Sequence, residues 1–358
     1  GSGSVLLVAT DNIVVDAEVT ASSVTLRSDD DILIHASVVA SDLIDVSAGV
    51  DGTGGIEITS TGRLETTAAG SDVTLSTGAD AGDVLLAGSM TALDQVTVTS
   101  EAGSVNGSGR ISGASVSLNA ETGLGNTTLL KTSATNVSAI TTSGAIEVEN
   151  TLVSAVLVSS LVTGDGAVDF VQLGGGDLTF GVVSASTSST IENQAGSVAL
   201  NGTLNSDSLS VMATGDLSDG VSGEISVNQQ ATLSAASITL GDSAGNSTNF
   251  GRLVFNSTGS VTISEDSSMT VAGASTAGNG LALSSTGEMR LDGTIDVTGD
   301  TLLSATGAIE VNAKLNGSGS VLLVATDNIV VDAEVTASSV TLRSDDDILI
   351  HASVVASD

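Results

Sequence analysis

Apolar residues in this chain recur in pairs spaced two apart, and the pairs themselves recur 19 residues later. Val5 and Leu7, Ile13 and Val15, Val19 and Ala21 are followed by Val24 and Leu26, Ile32 and Ile34, Val38 and Ala40. That i, i+2 spacing is the period of a strand with one buried face; a helix would need apolar residues three and four apart. Gly, Asn, Asp and Ser fill the intervals, as turns require. Val, Ile, Thr, Ser and Gly dominate, which also disfavours helices. The expected fold is all-β: a single-stranded parallel β-helix, or β-solenoid, with three short strands per turn of about 19–23 residues and a few turns near 30.

A Gly-x-aliphatic-x-aliphatic pattern continues this reading along the chain, at Ile56, Ile146, Val198, Ile225, Val261, Met289 and Ile309. These segments read as successive copies of the middle strand. Intervals 47–55, 212–223 and 241–252 read as loops bulging from the corners. Arg27, Glu57, Glu147 and Glu310, lying between inward residues, are expected to be exposed. Roughly fourteen turns per long repeat would advance the axis by about 67 Å. Each turn buries only a handful of small side chains, so it depends on its neighbours for stability.

The long repeat is exact: residues 1–42 recur without change as residues 317–358, an offset of 316. Identity of that extent includes surface positions that no fold would dictate, and points to recent duplication within a tandem array. The sequence therefore reads as one continuous solenoid over 1–358, with 1–316 a full unit and 317–358 the opening of the next. Gly1-Ser2-Gly3-Ser4 reads as native, because it returns at Gly317-Ser318-Gly319-Ser320. The expected partners are further copies of the same repeat, in tandem or end to end.

Composition narrows the function. Without Trp or Tyr and with only four Phe, the core must be thin and aliphatic, and the 41% hydrophobic content is too high for a disordered chain. Forty-two acidic against eight basic residues give a net charge of −34, which disfavours nucleic acid and anionic membranes. Divalent cations are the natural counterions and would favour lateral association of shafts. No apolar run approaches the roughly 18 residues of a spanning helix. Absence of Cys does not fix the redox compartment.

The inventory for catalysis is thin. His35, with its copy His351, lies one period after Asp16 and should stack on it as a solvated pair. Asp29-Asp30-Asp31 is the densest acidic cluster, and some β-helices cleave polysaccharides with Asp clusters. It falls on a turn, where Asp is expected for local backbone hydrogen bonding, and no aromatic sugar platform exists. Gly174-Gly175-Gly176-Asp177 approaches a calcium-binding nonapeptide only once and out of frame. Thr97-Val98-Thr99 reads as an isolated Thr pair rather than part of a ladder. The sequence thus assigns no catalytic, cofactor or metal residues and reads as non-enzymatic. Diffuse binding of calcium to the acidic surface stays open.

The turns 4–22, 23–41 and 301–319, with Ser237-Ile238-Thr239-Leu240-Gly241-Asp242 and Asn249-Phe250-Gly251, resemble filamentous-haemagglutinin-like proteins and the giant β-strand-repeat surface proteins of bacteria. The resemblance implies a right-handed β-helix, secretion to the cell surface, and a role as a structural shaft or spacer of a giant fibre. An adhesin whose corner loops bind a surface ligand is the alternative.

Overall fold

A computed structural model of the chain describes residues 3–80 and 82–357. Every regular element among them is a strand, and the strand pairings are parallel, making a single-stranded β-solenoid of about 17 turns. Two compact units make up the chain: Gly1–Leu178 with Val182–Thr187, and Thr179–Gly181 with Ser188–Asp358. Gly1 and Ser2, of the native-looking opening tetrapeptide, lie outside the described residues.

In the first unit the 19-residue period becomes the stacking register. Val5 and Leu7 pair with Val24 and Leu26, and Ile13 and Val15 with Ile32 and Ile34. Val19 and Ala21 pair with Val38 and Ala40. The second member of each pair is buried, as the alternation requires. Val, Ile and Leu fit here because a branched side chain on a pleated strand packs on an identical neighbour one strand spacing away. Turn length varies with the corners: Leu43 pairs with Asp72, but Ser115 with Asn136.

The second unit settles into the most regular turns. Thr301–Ala305, Ile309–Val311 and Leu315–Gly317 form the three strands of one turn. They pair with Leu281–Ser285, Met289–Leu291 and Ile295–Val297 on one side. On the other they pair with Ser320–Ala325, Ile329–Val331 and Val335–Ala337. Three inward files result: Leu283, Leu303 and Leu323; Met289, Ile309 and Ile329; Ile295, Leu315 and Val335, all buried.

The exact repeat supplies an internal control on what buries a residue. Leu7 is 40% exposed, whereas Leu323, the same residue of the second copy, is fully buried between neighbouring turns. Ile32 is fully buried and Ile348 is 43% exposed. The local sequence is identical in each case, so the adjoining turn decides, and that contact contributes about 2 kcal/mol per Leu or Ile.

Three expectations need correction. The Gly-x-aliphatic segments are not all middle strands. In the second unit Val198 and Val261 belong to the file that leads to Val321, through Leu217, Ile238, Leu281 and Thr301. Met289 and Ile309 occupy the middle file, and Ile225 pairs with Thr248. A Gly before an alternating pair marks any corner, so the pattern does not distinguish the sides. The loops are also shorter than read: Leu217–Asp219 is a strand inside 212–223, and Ser247–Ser257 overlaps 241–252. Stacking recruits backbone that a lone segment would leave irregular. Finally, Arg27 is exposed, but Glu57, Glu147 and Glu310 are half-buried. In-register neighbours shield their stems, as Leu33 and Leu85 do for Glu57.

Candidate functional surfaces

His35 stacks on Asp16 as the period predicts, with Nδ1 2.7 Å from the carboxylate, and His351 repeats the contact on Asp332 at 2.6 Å. Both pairs are open to solvent, and among the described hydrogen bonds each imidazole reaches only its Asp, while the Thr61 hydroxyl donates to the His35 carbonyl.

The Asp29-Asp30-Asp31 turn is built into the backbone. The Asp30 N–H donates to Ser28 Oγ, and the Asp31 N–H donates to Asn12 Oδ1 at 3.0 Å. Asp31 Oδ1 in turn accepts the N–H of Gly55 at 2.8 Å. The bonding is therefore largely between turns rather than local. A shallow groove of about 220 Å³ runs past Asp31, Glu57 and Asp83. Asp83 Oδ1 is also engaged, accepting the N–H and hydroxyl of Ser104 at 2.7 and 2.8 Å. Acids occupied this way are poorly placed to serve as a general acid and base across a sugar bond.

The same device recurs. Asp72 accepts the N–H of Gln95, Asn106 that of Thr127, and Asp219 that of Gly241. Asp300 accepts that of Ser320. Corner carboxylates and amides thus cap the next turn, satisfying donors that the ladder leaves over where the chain bends.

Gly174 and Gly176 lie tight against the preceding turn. A β-carbon at either would collide with the carbonyl oxygens of Leu152 and Ser154, respectively. Thr97 pairs with Thr74 and Ser117, and Thr99 with Ser76 and Asn119, so neither adjoining turn repeats the Thr-x-Thr pair.

Charge is paired sparingly. Arg290 reaches Glu310, Asp292 and Glu288 at 3.2, 3.4 and 3.9 Å. The carboxylates of Asp292 and Glu310 raise its pKa above the ordinary value. Glu147 has no such cation: burial, and then the neighbouring Asp169 charge, push its carboxyl upward.

Two buried polar groups escaped the sequence reading. In the first unit Thr132 Oγ1 donates to Asn150 Oδ1, and Asn150 Nδ2 donates to Gln172 Oε1, both at 2.9 Å. The Asn150 amide also closes a two-way bond with the backbone of Ala134. In the second unit Glu265 is only 2% exposed, and burial pushes its carboxyl up to about 8. The signal was available: both sit at inward positions of an i, i+2 alternation that elsewhere holds aliphatic or small residues.

Among the described residues no group of three His, Cys, Asp or Glu is placed to hold a metal ion, and no helix is long and apolar enough to cross a membrane. In comparisons with known proteins, no family model, curated protein or solved structure matches the chain.

Proposed function

We propose that the chain is a structural shaft or spacer segment of a giant secreted bacterial fibre built from tandem solenoid repeats, and that it is not an enzyme. The observation that carries this reading is the exact repeat in the same register. Val5 pairs with Val24 and Val321 with Val340; Ile13 pairs with Ile32 and Ile329 with Ile348. A module whose two copies stack alike can be multiplied without changing the turns between them. The polar inventory supports the same reading, since Asp31, Asp72, Asp83 and Asp300 each hold a backbone N–H of the next turn. The excess negative charge fits a secreted fibre kept soluble by self-repulsion, with divalent cations bridging neighbouring shafts.

The resemblance to filamentous-haemagglutinin-like and giant β-strand-repeat proteins supports the surface location. The test is to express chains holding one, two and three 316-residue units and measure their lengths by electron microscopy. A spacer predicts a constant increment of about 70 Å per unit, at one strand spacing per turn. Chains that fold back or collapse into globules contradict it.

An adhesin is the second reading, favoured by Val153 and Val221, which are 84% and 77% exposed in corner loops. Exchanging those loops for Gly-Ser segments separates the two. Fibre length survives the exchange in both readings, and cell attachment by the fibre is lost only if the loops bind.

A further inference from the structure

One corner of the second unit breaks the rule that corner polar groups find partners. Asp219 stands in an inward file between turns, paired with Leu200. Its counterparts further along are Leu240, Ile263 and Leu283. Asp219 Oδ2 accepts the N–H of Gly241 at 2.8 Å, and Oδ1 is buried without a hydrogen-bond partner. The Asn246 side chain lies beside this carboxylate and helps to hold its charge, yet is not aligned for a regular hydrogen bond and has both polar atoms buried.

Glu265 stands in the next inward file, where the following turns carry Ser285, Ala305 and Ala325. Its Oε2 accepts the N–H of Phe250 at 3.4 Å, and Oε1 is buried and unpartnered. Thr248, fully buried, also has a hydroxyl without a partner.

Gly241 joins the two halves of the corner. Its φ is +69°, a conformation that other residues seldom adopt. A β-carbon there would sit 3.2 Å from Thr248 Oγ1 and would collide with Ser264 O. The backbone N–H that Asp219 holds and the idle Thr248 hydroxyl therefore converge on one residue. Asp219, Asn246, Thr248 and Glu265 bring two carboxylates, an amide carbonyl and a hydroxyl to three successive turns, all with oxygen to spare.

We propose that this corner binds a hard divalent cation, calcium by its chemistry, through the side-chain oxygens of Asp219, Asn246, Thr248 and Glu265. Oxygen donors without His or Cys select calcium over zinc, and a mixed carboxylate, amide and hydroxyl set suits its flexible coordination. Burial, with the charges of Asp242 beside Asp219 and Asp266 beside Glu265, holds both carboxyls above their ordinary values; Asp219 is half-buried and Glu265 buried. With only two carboxylates the site belongs to the weak class, with a Kd of about 10⁻⁴–10⁻³ M, suited to calcium outside cells. Cation binding here would tie the irregular 241–246 loop to the turns on either side of it.

The test titrates the chelator-treated 358-residue chain with calcium chloride in 0.15 M sodium chloride, by calorimetry. The expected result is one saturable calcium per chain, at least tenfold weaker in Glu265→Gln and Asp219→Asn and unchanged in Asp296→Asn, an exposed acid elsewhere. Glu265→Gln is a neutral isostere, and Thr248→Val keeps the side-chain shape; circular dichroism in chelator checks that each variant is folded. Calcium binding of equal strength in all variants overturns the proposal, as does binding that vanishes at this ionic strength, the mark of a diffuse counterion cloud. Anomalous diffraction from terbium-soaked crystals gives a second readout. An ion within about 2.3–2.6 Å of Glu265 and Asp219 oxygens supports the site, and ions found only on the outer surface refute it.

Discussion

One carboxylate oxygen of Asp300 accepts both the backbone N–H and the hydroxyl of Ser320, each at 2.8 Å, one turn further along the chain. These two bonds, the backbone one first, lower the Asp300 pKa below its ordinary 3.8. A group whose folded pKa is depressed stabilises the fold above its unfolded value, and that contribution is lost as pH falls through the folded one. Amide exchange at Ser320 should therefore quicken below about pH 4 relative to its ladder neighbours, after correction for intrinsic rates. Asp300→Ala should show the faster exchange at neutral pH. Equal protection of Ser320 in both proteins would remove the cap from the account.

The exact repeat allows one substitution to be made twice in the same local sequence. Ile32→Asp places a carboxylate in a fully buried position and should cost several kcal/mol of stability. In the same 358-residue chain Ile348→Asp, at a position 43% exposed, should cost well under half as much. Urea denaturation followed by circular dichroism measures both. Equal losses would mean that the local strand, rather than the adjoining turn, provides the burial.

Asn150→Leu should destabilise the first unit by on the order of 3 kcal/mol, despite adding apolar surface. It removes the Asn150 amide from Gln172 Oε1 and from the Ala134 backbone N–H and C=O, while Thr132 keeps its bond to Glu149 O and Gln172 its bond to Leu152 O. Replacing Asn150 and Gln172 together by Leu should recover part of the loss, since fewer polar atoms are then left idle. A double variant less stable than both single ones contradicts this coupling.

How much of this was legible in the sequence follows from what each signal measures. Val24, Leu26, Ile32 and Ile34 were placed correctly because an i, i+2 pair states its own inward face, and a 19-residue offset states its own register. Val198 and Val261 were put on the wrong side because a Gly-led pair is the same at every corner; only the stacking partners tell the sides apart. Asp219 and Glu265 went unnoticed because a single acid among so many looks like surface charge. The i, i+2 alternation with Val261 and Ile263, or with Leu217, marks both positions as inward, and turns some 20 residues away cover them.

Glu265 also sets a pH window. Its carboxyl titrates at about 8 in the folded chain against 4.5 ordinarily, raised by burial and by Asp266, and opposed by the Phe250 N–H. Between those values the folded chain holds a proton that the unfolded chain has released, so stability should fall as pH rises from about 4.5 to 8 and then level off. Chelator-treated protein, melted at a series of pH values, should show this decline around the Ser247–Ser257 and Val261–Glu265 strands by hydrogen exchange. In Glu265→Gln the decline should flatten. A wild-type profile that rises over the same window contradicts the burial of this carboxyl.

The central claim is that residues some 20 positions apart lie one strand spacing apart, turn after turn. Ala282, Leu302 and Leu322 are aligned on successive turns of the second unit. The chain has no Cys, so cysteines introduced there carry nitroxide labels without background. Electron paramagnetic resonance on Leu302→Cys with Leu322→Cys should show strong dipolar broadening for backbones about 5 Å apart. Ala282→Cys with Leu322→Cys should show the weaker broadening of about 10 Å. Separations beyond about 20 Å for either pair would mean that the turns are not stacked in this register.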